Sequence, residues 1–248
     1  MEDRYSYYER IVDNVASTVD KIRAVPAHKR FDVPFIEHEL IPELGLNNEQ
    51  LPEQPQELSN FFGKGIHIFQ YPSQLARYLV WLSFNAKGMR SYMEIGCRWG
   101  GTFIVVTEWL RMLNGEELDY AVAVDPINES PFVRRYREIA GFPVLYLQMF
   151  STSPEFLEFS KASKPDMVFI DGDHSMAGVM TDHANARRFA KIIGHHDVSS
   201  DSCPDTTMFW QYLKFAEDRF EAAEFTQQYA SVNGNFLGIG VLKRIIGS

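Results

Sequence analysis

Five short apolar runs recur through the second half of this chain. They are SYMEIG from Ser91, YAVAVD from Tyr120, PVLYLQ from Pro143, DMVFID from Asp166 and the weaker KIIGHHD from Lys191. Their starts lie roughly 20 to 30 residues apart, which leaves room for a crossover helix between strands rather than a tight hairpin. Near-continuous apolar strands are buried on both faces, the condition of a parallel sheet with helices on each side. Four of the runs carry an acid at or just past the carboxyl end: Glu94, Asp125, Asp171 and Asp197. Open α/β sheets bind ligands at that edge, so these acids are expected to share a cleft. The expected fold is α/β and Rossmann-like, a doubly wound and mostly parallel sheet.

The tail reads differently. EFTQQYA and NFLGIGVLKR are strand-like runs flanking Asn233-Gly234, which predicts a reversal with a slightly longer hairpin loop and a terminal antiparallel strand. Before the alternating region, Tyr7 to Val25 reads as an amphipathic helix, because Ile11, Val15, Val19 and Ile22 fall on one face. That face suits packing on the domain, a homo-oligomer contact or a substrate lid. Pro26, Pro34, Pro42, Pro52 and Pro55 then break up an irregular connector with short helical pieces. Pro72 to Phe84 predicts a helix with proline in its first turn. The expected division is an N-terminal helical and irregular segment over 1–65 and a sheet domain over 66–248.

Composition excludes several classes. A formal charge of −9 with no Lys/Arg block disfavours a nucleic-acid partner. The two cysteines, Cys97 and Cys203, are too few for a disulfide scaffold and suit a reducing compartment. The polar start MEDRYSYYER is not a secretory signal, and the apolar run Tyr78 to Phe84 is too short to span a bilayer. A cytoplasmic protein without membrane association is the expectation.

EIGCRWGGT, from Glu94 to Thr102, follows a strand and opens the apolar stretch FIVVTEWLRML. Gly96, Gly100 and Gly101 permit a tight turn and close approach of a ligand, and the exposed N–H groups of a helix start favour a carboxylate or phosphate. The spacing is not G-x-G-x-x-G, so the dinucleotide fingerprint fails. Asp125 ends the next strand, where a carboxylate accepts hydrogen bonds from both ribose hydroxyls. A glycine turn plus a ribose acid indicates an adenosine-containing ligand. S-adenosylmethionine and NAD both satisfy it.

EIGCRWGGT, AVAVDP, DMVFIDGDHS and HHDV, in that order, resemble class I S-adenosylmethionine-dependent methyltransferases. They are most similar to the small-molecule O-methyltransferase branch acting on macrolide sugars and rhamnosyl groups. GIHIFQYPSQLARYL is similar to the helix preceding the first strand in that branch. The resemblance covers about residues 65 to 242. It implies a seven-stranded sheet whose last strand is antiparallel. It places the cofactor's amino-acid end on Glu94, Gly96, Cys97, Gly100 and Thr102, its ribose on Asp125 and its adenine near Ser151, with Asp171 also at the cofactor.

A hydroxyl is a poor nucleophile at neutral pH, and a nearby base or a divalent cation improves it. Histidine titrates near working pH, so His174, three residues after Asp171, suits the base. In the resembling enzymes the histidine of the D-x-x-H pattern is the general base and its aspartate a metal ligand, which implies catalytic roles for His174 and Asp171. His196 and Asp197 are then expected to face Asp171, giving a metal set of Asp171, His196 and Asp197 for Mg, Mn or Fe. The relatives usually carry two acids, or an acid and an amide, where this chain has His196-Asp197, and histidine suits Mg less well. Asp173 reads as a turn residue, Asp182 as support for the glycine turn or a solvent contact, and Phe209 and Trp210 as core aromatics. The expected function is O-methylation of a small-molecule hydroxyl, on a sugar or glycosylated natural product. The alternatives are an NAD(P)-dependent oxidoreductase and a non-catalytic S-adenosylmethionine-binding module.

Overall fold

The computed structural model of the chain describes residues 11–46, 54–62 and 65–245. Seven strands form one sheet: β1 Ser91–Ile95, β2 Tyr120–Asp125, β3 Val144–Gln148, β4 Met167–Ile170, β5 Ile192–His196, β6 Phe220–Phe225 and β7 Ile239–Arg244. Their order is β3-β2-β1-β4-β5-β7-β6, with β7 alone antiparallel to its neighbours. All five apolar runs are strands, and the terminal antiparallel strand is present.

The first strand of the tail sits earlier than the sequence suggested. β6 is FEAAEF, beginning at Phe220 rather than within EFTQQYA, and residues 226–238 form a long connection to β7. Alanine and glutamate are weak strand formers, so this edge strand is held by its pairing with β7 rather than by propensity.

Seven helices carry labels here. They are α1 Asn14–Arg23, α2 Pro72–Asn85, α3 Gly101–Leu113, α4 Pro131–Ile139, α5 Pro154–Ser163, α6 Met176–Ala186 and α7 Pro204–Ala216. Their starts are written in the sequence: Ser130 and Ser153 cap α4 and α5 through their side chains, each followed by proline, and Ser175 caps α6. Alternate side chains of the strands enter two cores. Tyr92, Phe169 and Ile192 pack with residues of α1 to α4, whereas Met93, Val168 and Ile193 pack with residues of α5 to α7.

Helix α1 begins at Asn14, and residues 7–10 of the expected helix lie outside the described residues. Val15, Val19 and Ile22 are buried within the chain, sharing a core with Phe103 and Trp109 of α3. Arg23 binds the fully buried Glu108 of α3 at 2.8 Å, and Glu108 also accepts from Tyr136 and Arg111. The connector contains helical turns at Ala27–Phe31, Val33–Phe35, Ile36–Leu40, Ile41–Leu44 and Gln56–Phe61. Its Ile36, Leu40 and Ile41 join the same core as α1 and α2. Among the described residues, no helix is long and apolar enough to cross a membrane.

Candidate active site

The chain reverses its order across the sheet between β1 and β4, and the cleft opens at that switch point. Register aligns Val124, Ile95, Ile170 and His195 across β2, β1, β4 and β5. One step further on, Asp125, Gly96, Asp171 and His196 make up the carboxyl rim. Three side chains and one bare backbone position thus meet in a row.

Gly96 is the closest point of that row. Its φ is +83°, and a Cβ there would stand 1.9 Å from the carbonyl oxygen of Asp171. The Asp171 N–H donates to the Ile95 carbonyl at 2.8 Å, which binds the two loops together. Gly100 adopts φ +87° immediately before α3, where a left-handed residue lets the chain turn into the helix.

A cavity of about 560 Å³ lies over this rim, within the range of small-molecule sites. Glu94, Gly96, Cys97, Thr102, Asp125, Ser151, Asp171, His174, His196 and Asp197 all line it. Gly100 does not, and shapes the turn instead, while its neighbour Gly101 reaches the cavity. Asp125 accepts N–H bonds from Arg98 at 2.7 Å and from Ile127 at 3.2 Å, which fixes its carboxylate at the end of β2. Ile127 and Phe150 are exposed apolar side chains on the same cavity. Glu94 is buried at the floor and accepts from Tyr92 Oη at 2.5 Å. Burial drives its carboxyl up to about 8, against the Tyr92 hydrogen bond and with help from the Asp171 charge.

Four further groups converge at the other end. His196 Nδ1 lies 2.8 Å from Asp171 Oδ1 and 3.4 Å from Asp197 Oδ2. His174 Nε2 lies 3.2 Å from each of those same oxygens. One ligand atom from each of the four residues falls within 4.8 Å of all the others. Consecutive strand residues point to opposite faces, so His196 and Asp197 would ordinarily part. Asp197 instead leaves β5 with φ +55°, a left-handed conformation for a non-glycine residue, and its carboxylate joins the imidazole. The preceding His195 obeys the alternation. It faces the opposite core, where its Nε2 meets His183 Nδ1 at 3.1 Å beside Phe209 and Trp210.

The electrostatics follow from this packing. Hydrogen bonds to Asp171 and Asp197 hold His174 up at about 10, despite partial burial. Burial alone would pull His196 down, but the same two carboxylates more than offset it and hold the group well above its ordinary value. Burial would raise Asp197, yet the two imidazoles hold it far below the usual carboxylate range. Burial, aided by the Asp197 carboxylate, pushes the Cys203 thiol up to about 12, and Cys203 Sγ donates to Asp197 Oδ2 at 3.3 Å.

Several residues at the site were not singled out from the sequence. His67, Phe69, Trp99, Phe236 and Leu237 add an aromatic and aliphatic lining, from the segment before β1, the turn after it and the connection between β6 and β7. His67 stacks on Phe69, and Phe69 meets Phe236 edge-on. Gln74 of α2 holds the late segment: it donates to the carbonyls of Gln227 and Phe236 and accepts from the Gly238 N–H. Asp182, read as support for the glycine turn or as a solvent contact, is buried, and its carboxylate lies under Gly172 instead. Phe209 and Trp210 are core residues, as expected.

The sheet order and the single antiparallel strand can be set against solved structures. A protein assigned as an rRNA methylase from Clostridium thermocellum aligns over 70% of this chain and 98% of its own, with 11% identity and a TM-score of 0.51. This chain has an α/β Rossmann-like methyltransferase fold. The cofactor-bound structure of Rv0187 from MTB aligns over 63% of this chain and 73% of its own at 17% identity and a TM-score of 0.47. MycE, a methyltransferase of the mycinamycin biosynthetic pathway in complex with Mg, SAH and mycinamycin VI, aligns at 12% identity and a TM-score of 0.47. That match takes in 73% of this chain, which spans about half the length of MycE. No protein-family model and no curated protein sequence matches the chain.

Proposed function

We propose that this chain is an S-adenosylmethionine-dependent O-methyltransferase acting on a hydroxyl of a small molecule, a sugar or a glycosylated natural product. A divalent cation assists, and His174 is the general base. The observation that carries this reading is the convergence of Asp171, His174, His196 and Asp197 in the cavity whose other end is the glycine turn and Asp125. The formal charge of −9 speaks against a nucleic-acid acceptor.

The residues fit both groups. His196 Nδ1 lies 2.8 Å from the Asp171 oxygen and 3.4 Å from the Asp197 oxygen, separations that suit adjacent ligands of one ion with bonds of roughly 2.0 to 2.2 Å. The cofactor brings an electrophilic methyl on a sulfonium, and a cation at this site lowers the pKa of a hydroxyl bound to it. The chain does the rest. The backbone N–H groups opening α3 would hold the cofactor's carboxylate. Asp125 would accept from the ribose hydroxyls, and Ile127 and Phe150, which line the same cavity, would cover the base. The two carboxylates that hold His174 protonated would be neutralised by a cation bound to them, which would free His174 Nε2 to take the acceptor's proton as the methyl passes from the cofactor's sulfur to the acceptor oxygen. Holding acceptor and methyl in line supplies much of the rate.

The test is calorimetric titration with S-adenosylhomocysteine, followed by transfer of labelled methyl to a panel of hydroxylated acceptors. Binding that is lost in Asp125→Ala, together with methyl incorporation, supports the reading. Binding without transfer to any acceptor marks a non-catalytic module. Binding of a nicotinamide cofactor in place of S-adenosylhomocysteine overturns the proposal.

A further inference from the structure

Resting on the cation-assisted reading, we propose that the cleft selects a borderline transition dication (Mn²⁺, Fe²⁺ or Co²⁺) over Mg²⁺, with His196 Nδ1 as the donor that decides. Mg²⁺ takes oxygen ligands and keeps several of its waters, whereas an imidazole nitrogen favours first-row transition ions. Here one of three inward-facing donors is such a nitrogen, and it cannot be withdrawn. His196 is 3% exposed, closes β5 in register with Ile239, and packs its ring against Phe169. Its Nδ1 is 2.8 Å from Asp171 Oδ1, so an ion reaching both carboxylates also meets the imidazole.

The backbone supports the same conclusion. Asp197 adopts a left-handed conformation that brings two successive side chains onto one ion-sized space. A non-glycine residue persists in that region when its surroundings over-determine it. His174 Nε2, 3.2 Å from both carboxylate oxygens, stands at the edge of this space and stays available to the acceptor hydroxyl.

The experiment uses the full chain stripped by a chelator and dialysed, with Mn²⁺ and Mg²⁺ as the probes. Wild-type protein is expected to bind Mn²⁺ at least about 100-fold more tightly than Mg²⁺. Pulsed electron paramagnetic resonance of bound Mn²⁺ is expected to show ¹⁴N modulation. That modulation persists in His174→Ala and is lost in His196→Asp, whose Mn²⁺ preference narrows to about tenfold. Should His196→Asp fail to fold, the wild-type and His174→Ala spectra still decide. Equal affinity for the two ions, or modulation lost in His174→Ala, overturns the assignment. If neither ion binds, both this assignment and the cation in the functional reading fall. Methyl transfer in the stripped protein would show that the transferase reading survives that loss.

Discussion

Gly96 and Asp171 approach so closely that a single methyl group on the glycine would overlap the aspartate's carbonyl, at 1.9 Å. The glycine turn after β1 and the acidic loop after β4 are therefore one mechanical unit. A side chain at Gly96 must displace backbone, and its φ of +83° adds strain. Gly96→Ala is expected to lower stability by about 2 kcal/mol or more. It should also weaken S-adenosylhomocysteine binding. Urea denaturation and calorimetry check both, and wild-type values for the two would contradict the coupling.

On the proposed mechanism, removing the imidazole of His174 affects the proton transfer and leaves the glycine turn and Asp125 in place. His174→Ala is expected to reduce kcat by about 10²- to 10⁴-fold. Affinity for S-adenosylhomocysteine should stay within a few-fold of wild type. Parallel loss of turnover and binding would remove His174 from the base role.

Exhaustive chelation is expected to suppress methyl transfer, and added Mn²⁺ to restore it. Full turnover in the chelated protein, with metal content verified by elemental analysis, would eliminate the cation from the mechanism.

The second histidine pair gives a pH prediction. His183 and His195 are both held below their ordinary values by burial, His195 the more strongly. Glu217 at 3.3 Å from His183 Nε2, itself paired with Arg187, only partly opposes this. Groups depressed in the folded state take up protons on unfolding, so their contribution is complete above the unfolded pKa of about 6.5 and declines as pH falls below it. Stability should drop by about 1 to 2 kcal/mol between pH 6.5 and 5.5 from this pair. A His195→Phe variant should show a flatter profile in urea titrations across that interval, and an unchanged slope would refute the assignment.

The strands and the rim acids were legible because burial on two faces leaves a continuous apolar run, and because Glu94, Asp125, Asp171 and Asp197 interrupt it at one end. β6 was not. FEAAEF has no strand-like alternation, and its pairing with β7 is a tertiary fact. The cluster was legible in part: Asp171 and His174 are neighbours in sequence, but nothing in HHD announces the left-handed turn at Asp197 that adds its carboxylate to His196. The sorting of His195 from His196 follows from strand alternation once β5 is placed. The grouping of His67, Phe69 and Phe236 was not legible because it is assembled from segments almost 170 residues apart, and no local pattern encodes their contact.

Gln74 fastens the 226–238 connection through three hydrogen bonds to the backbone, and none of those bonds depends on which side chains that connection carries. This side of the cleft, where Phe236 and Leu237 line the cavity, is thus a strap buckled to α2 at fixed points. Its sequence can drift between its fastenings, admitting differently shaped guests, while the floor of the cleft and the chemistry performed there stay as they are.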